Sequence, residues 1–289
     1  MLKKLLKNEF KATSRVYVAI YLVFTALMTV ERLSLFAFGN AQAADGFLET
    51  LSILLMGIVS FLTVLGVIAL CVTPMIYGIY RFYKNMLSDE GYLSFTLPVT
   101  VSQHLWSKVI VSCVWTAASV LFGLLVGGLF LASLNWHEAV ELLSLTGHTF
   151  GLILRDTGIW FFLTALLLLF TALLQLAVSF LTYFSAMSIG QCANKHKFLV
   201  SVAVYVGFNI AASVIMEFLS MAVLFLSRGG FLKAIFAFLN RFLFVRNPSV
   251  QTCQAMCLLF LSVSVWICLI GLVHFFVSKY FLTKKLNLA

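Results

Sequence analysis

Charge is scarce in this sequence. Asp, Glu, Lys and Arg make up 10% of its 289 residues, while 62% are hydrophobic. An ordinary soluble domain is about 25% charged and about 45–50% apolar. Too few charges are present to cover a soluble surface of this size, so the excess apolar surface must face lipid. No polar stretch is long enough to form a soluble domain either, and residues 1–289 read as a single membrane domain. Proline is limited to three positions, so few apolar runs are interrupted. The six cysteines (Cys71, Cys113, Cys192, Cys253, Cys257, Cys268) lack the paired spacing of a zinc site or disulfide framework and read as buried free thiols.

Catalytic motifs are lacking as well. There is no G-x-x-x-x-G-K-S/T phosphate loop, and the nearest glycine–lysine run, Gly190 to Lys195, has the wrong spacing. Neither H-E-x-x-H nor G-x-S-x-G occurs, so metalloprotease and hydrolase chemistry have no support. His137 and Glu141 share a helical face with His148 nearby, but spacing fixes no third ligand, and no metal is expected. The chain reads as a non-enzyme without a cofactor of its own.

Long apolar runs are what the sequence has. A spanning helix needs ~20 mainly apolar residues. Six candidates meet that length, at Val16–Phe38, Leu51–Tyr80, Val109–Leu134, Gly158–Ile189, Phe198–Leu226 and Thr252–Ser278. The expected fold is therefore all-α and polytopic, with about six transmembrane helices. Pro74 is a natural kink point in the second run. Gly123 and Gly127 form a G-x-x-x-G in the third, which permits close helix packing, and Gln175 and Asn209 are candidates for interhelical hydrogen bonds.

The net charge of +9 does not indicate nucleic acid, because the cations sit in short clusters between apolar runs. With the N-terminus inside, thirteen of the nineteen Lys and Arg residues fall on inner segments and six on outer ones. Both termini are thus expected in the cytoplasm, with the chain in the cell membrane. Ala41-Gln42-Ala43 resembles a signal cleavage site, but the preceding run of ~23 residues exceeds a signal core of about 7–15, so retention is expected.

Several segments outside the runs carry pattern. Residues 1–14 are amphipathic, with Leu2, Leu5, Leu6 and Phe10 on one face and Lys3, Lys4, Lys7 and Lys11 elsewhere; such a helix is expected to lie in the headgroup plane. Asn135 and Glu138 fit an N-cap and its carboxylate, opening a short outer helix through Leu145. The outer segment 227–251 carries an apolar stripe of Phe231, Ile235, Phe238, Phe242 and Val245 at helical spacing. Glu217, in the fifth run, is an ionisable group at membrane depth and so a candidate for a substrate path, or for pairing with Arg228.

The inner loop 81–108 is the most informative. It reads as a short amphipathic helix, a corner at Leu97-Pro98 and a new helix launched by a capping box of Thr100 and Gln103. It mixes charge with Phe82, Tyr83, Met86, Leu87, Tyr92, Leu93 and Phe95 and is too apolar for a free loop. Asp89-Glu90-Gly91-Tyr92-Leu93, then Thr96-Leu97-Pro98-Val99-Thr100 and Ser107-Lys108, resembles the first inner loop of bacterial ABC exporter permeases of the second type. That resemblance implies a coupling helix that seats in a groove of a separate cytoplasmic ABC ATPase. Asp89, Glu90, Gly91, Tyr92 and Leu93 would face the ATPase, and Leu97 and Pro98 would form the exit turn. It also implies that ATP and Mg are bound by the partner, and that a second permease, identical or related, completes the transporter. The alternative is a non-ABC membrane protein, a secondary carrier or a scaffold, for which broken helices and midplane charges are the expected signs.

The charge distribution makes a direct prediction. In a cysteine-free background, a cysteine placed at position 4 or 285 will be labelled by an impermeant maleimide only after the membrane is opened. Labelling of either from outside intact cells defeats this topology.

Overall fold

The computed structural model describes residues 2–38, 47–88, 91–92, 96, 98–134, 136–193, 195–228 and 248–284. Its helices are α1 (Leu2–Phe38), α2 (Phe47–Phe82), α3 (Val101–Leu134), α4 (Trp136–Thr157), α5 (Ile159–Gly190), α6 (Lys197–Arg228) and α7 (Pro248–Lys284), with a π-helical turn at Tyr83–Leu87. Among the described residues there is no strand. All of these helices but α4 are long and apolar enough to cross a bilayer, six in number. The protein is an all-α, multi-pass membrane protein. Each of the six has 32 to 37 residues. At 1.5 Å per residue each exceeds a hydrocarbon core of about 30 Å, so the helix ends project beyond it. Leu22, Leu124 and Phe218 stand exposed along these helices, as lipid-facing residues must.

Two boundaries differ from the sequence reading. Residues 2–14 are not a separate helix but the first turns of α1, which continues into the span without interruption. Thr13 and Ser14, where a break was expected, turn their hydroxyls onto carbonyls of their own helix, those of Glu9 and Lys11, and so leave the main-chain ladder intact. The short helix expected to close at Leu145, α4, instead runs 22 residues. Thr149 bonds back to the Leu145 carbonyl at 3.0 Å and the helix passes through. It ends at Gly158, whose φ of +57° suits a residue without Cβ. Residues 229–247, and with them the whole of the apolar stripe, lie outside the described residues.

The chain packs as two compact units. Unit 1 comprises residues 1–84 and 95–144 and contains α1, α2 and α3. Contacts pair residue 13 with 115, 21 with 119 and 32 with 133, so α1 and α3 run parallel, and α2 returns between their ends. Tyr17 stacks on Trp115 at 4.4 Å and Tyr21 on Phe122 at 4.5 Å. Phe24, Met28 and Leu70 form the core. Gly66 admits Leu27 and Phe24 of α1, and Gly123 admits Leu70 of α2. Gly127, the second glycine of the expected motif, has no neighbour within 4 Å of where a Cβ would stand. Only the first glycine therefore serves packing inside the unit.

Unit 2 comprises residues 85–94 and 145–289. Here α5 is the centre and carries both α6 and α7. The α5–α7 seam is a parallel heptad repeat of small and hydroxyl residues. Thr164 meets the Cys257 sulfur at 3.2 Å, Thr171 meets Ser264 at 2.8 Å, and Val178 fills the space left by Gly271. Ser185 then bonds His274 Nδ1 at 2.9 Å. Seven-residue spacing keeps such a seam facing its partner. The cysteines are free, but Cys71, Cys192 and Cys268 are exposed on the bare chain and only Cys257 is buried. An apolar run at membrane depth faces lipid as readily as protein, which is why burial was misjudged.

The tightest contact predicts a measurable contrast. A Cβ on Gly190 would stand 2.8 Å from the Ser201 nitrogen and 2.9 Å from the Lys197 oxygen, main-chain atoms that cannot rotate away. Gly190→Ala is expected to destabilise the protein by about 1–3 kcal/mol, and Gly127→Ala to leave it unchanged or slightly stabilised. Thermal unfolding in detergent will rank the two, and equal midpoints would contradict the packing.

Candidate functional site

The loop at residues 81–108 takes its shape from what flanks it. At its start, α2 loosens into the π-helical turn Tyr83–Leu87. Such turns insert one residue into the helical register and are found often at functional sites. Phe82, Met86 and Leu87 are buried within the chain, while Tyr83 and Tyr92 are exposed. The main chain then turns, with Gly91 N–H donating to the Ser88 carbonyl at 2.7 Å. At its end, Gln103 N–H donates to Thr100 Oγ1 at 3.4 Å and Thr100 N–H to Gln103 Oε1 at 3.3 Å. This is the expected capping box, and it starts α3.

Of the residues assigned to an ATPase contact, Gly91 is buried, and Tyr92 and Pro98 are exposed. Asp89, Glu90, Leu93 and Leu97 lie outside the described residues. The burial of Phe82, Met86 and Leu87 also corrects part of the reading above. Three of the seven apolar side chains are covered by the chain itself and need no outside partner to hide them.

Both stems of the loop are held by one carboxylate that the sequence reading counted only as a charge. Glu9 of α1 bonds Arg81 of α2 at 2.8 Å through one oxygen and Lys108 of α3 at 2.5 Å through the other. Their side chains are only 15%, 19% and 6% exposed. Among the described residues the cluster holds two cations and one anion. Thr13 lies one turn above, accepting from the Trp115 indole N–H at 2.7 Å and donating to the Glu9 carbonyl at 2.8 Å. Hence the N-terminal end of α1 and both ends of the loop sit on the same side of unit 1. The sequence did carry a sign of this, in a lone acid among Lys3, Lys4, Lys7 and Lys11, but its partners stand 72 and 99 residues away.

The other candidates are dispersed. Glu217 is exposed on α6. Arg228, the cation suggested as its partner, is eleven residues further along the same helix, a rise of about 16 Å, and its side chain lies outside what the structure describes. Asn209 donates to the Tyr205 carbonyl of its own helix at 2.8 Å, not to a neighbouring helix. Among the described residues no three His, Cys, Asp or Glu side chains gather as a metal site would need. Glu31, passed over in the sequence, is a buried acid on α1 with one carboxylate oxygen unpartnered among the described residues.

Glu9→Gln keeps the shape and removes the charge, leaving Arg81 and Lys108 facing each other. Removing one partner of a buried ion pair costs about 3–5 kcal/mol, and partial solvent access lowers the expectation to roughly 2–4 kcal/mol. Thermal unfolding should show this loss, and adding Lys108→Gln should recover part of it. A neutral effect of Glu9→Gln would remove the cluster from any role in holding the loop.

Compared with family models, curated proteins and solved structures, the chain matches none.

Proposed function

We propose that this chain is the membrane-spanning subunit of an ATP-driven ABC exporter, working with a separate cytoplasmic ATPase and a second permease. The observation that carries the reading is the loop between α2 and α3, with its Asp89–Leu93 and Thr96–Thr100 motifs and with both stems tied to α1 through Glu9. In this reading ATP and Mg belong to the partner, and residues 89–93 with Leu97 and Pro98 meet it. Closure of the ATPases displaces the loop. Because Arg81 and Lys108 share one carboxylate, a pull on the stems of the loop reaches α1, α2 and α3 together. The two ATPase states differ in how they contact the loop, which is the differential interaction that any conformational coupling requires. Both termini and the loop are placed in the cytoplasm, and the substrate path between two permease copies or relatives, with Glu217 as a possible lining group.

A secondary carrier is the second reading. It is favoured by Pro74 inside α2 and by Gln175 and Asn209 exposed within spanning helices. ATP dependence separates the two.

The test is charge reversal in the loop. Tagged wild-type chain purified from its native membrane should carry vanadate-sensitive ATP hydrolysis. Asp89→Lys combined with Glu90→Lys should insert normally and keep its six spans, while the associated hydrolysis falls at least tenfold. Truncating one partner of a docked charge pair costs about 2–5 kcal/mol. Hydrolysis unchanged in the double variant, or absent from the wild type, would sink the exporter reading.

A further inference from the structure

Unit 2 contains a cleft of about 230 Å³ where α6 and α7 diverge from α5. Its polar lining is Gln175, Ser179 and Thr182 of α5, Tyr205 and Asn209 of α6, and His274 of α7. Gln175 is at the middle of α5 (Ile159–Gly190). Acyl chains offer such groups no hydrogen bonds, so at this depth water or a ligand must occupy the cleft. Its volume holds roughly eight waters.

The lining has a definite chemistry. None of its residues is Asp, Glu, Lys or Arg. A charged ligand would therefore be desolvated without compensation. Most of the protons on the lining are already spent. Ser179 donates to the Gln175 carbonyl at 2.8 Å and Thr182 to the Val178 carbonyl at 2.9 Å. Tyr205 donates to the Tyr183 hydroxyl at 3.2 Å, and Asn209 gives one N–H to the Tyr205 carbonyl. Ser185 donates to the Thr182 carbonyl at 2.9 Å, so its oxygen accepts from His274 Nδ1–H, and Nε2 of that ring is left as an acceptor. What remains for a ligand is chiefly lone pairs, with the Gln175 amide, the second Asn209 N–H and the Trp266 indole N–H as the donors. Phe208 and Trp266 supply flat apolar walls. Phe208 is itself fixed edge-on against His274 at 4.8 Å.

We propose that this cleft is a binding site for a small neutral molecule that combines an apolar ring with a hydrogen-bond donor, of the phenol or indole class. The inference stands apart from the exporter reading, since it requires neither ATP nor a partner.

The probe is 5-fluoroindole, followed by fluorine NMR line broadening with the full chain in lipid nanodiscs and with empty nanodiscs as the partition control. Saturable broadening beyond the empty discs is expected. Gln175→Leu with Asn209→Leu should weaken it at least tenfold, because two polar groups on the cleft are lost. Ala212→Trp should do the same by filling the space, and it carries the test should the double variant lose its helical circular dichroism. 5-Fluoro-1-methylindole, which has the ring without the donor, should bind at least tenfold more weakly. Broadening equal to that of empty discs, or undiminished in folded variants, overturns the site. Equal binding of the methylated probe overturns the donor requirement.

Discussion

Within a bilayer the hydrophobic effect does not hold helices together, because acyl chains are as apolar as leucine. Close approach and hydrogen bonds must do so instead, and both units are built on that constraint. The α5–α7 seam sets Thr164, Thr171, Val178 and Ser185 against Cys257, Ser264, Gly271 and His274. Thr164, Thr171 and Ser185 carry hydroxyls in one seven-residue register on α5, Cys257, Ser264 and Gly271 are small at the same spacing on α7, and His274 closes the seam three residues further on. Larger side chains at these positions would hold the axes apart and break the bonds. Unit 1 solves the same problem with flat rings. Tyr17, Tyr21, Trp115 and Phe122 interleave between α1 and α3, and Gly66 and Gly123 let α2 come close.

Charge follows the same logic at greater cost. A carboxylate taken out of water needs its partners fixed in place. Among the described residues Glu9 is held by one cation on each stem of the loop, and its polar neighbour Thr13 is fixed in turn by Trp115. Glu217 has no comparable arrangement and remains exposed on α6. The contrast separates an acid that organises three helix ends from one that stands exposed among the described residues.

Much of the architecture was legible in the sequence because lipid leaves few options. A run of apolar residues as long as 158–189 can only be a helix crossing the bilayer, and all six expected spans are present. The Thr100–Gln103 box was legible too, because capping is local. The N-terminal segment was misread as separate, since amphipathicity reports which face is apolar and not where a helix bends. Pairing was not legible. Nothing near Glu9 names Arg81 or Lys108, and the threonine–serine seam is hidden inside runs whose overall apolarity dominates any periodic signal. The loop was half legible. Its motif stood out, but Phe82, Met86 and Leu87 turned out to be covered by the chain itself.

That last point changes what the loop can offer a partner. With Phe82, Met86 and Leu87 turned inward, a broad apolar patch is not available on the described part of the loop, and Tyr83 and Tyr92 are its exposed aromatic groups. Interfaces concentrate their energy in a few anchors, with tyrosine among the favoured types. A narrow contact of this kind binds less tightly than a wide one, so it transmits force only if the element behind it is stiff. In unit 1 the capped start of α3 and the Glu9 cluster supply that stiffness at the stems of the loop. In the proposed exporter, a weak grip on a rigid lever would release and re-engage in each cycle, whereas a strong grip on a soft loop would spend its motion in deforming the loop.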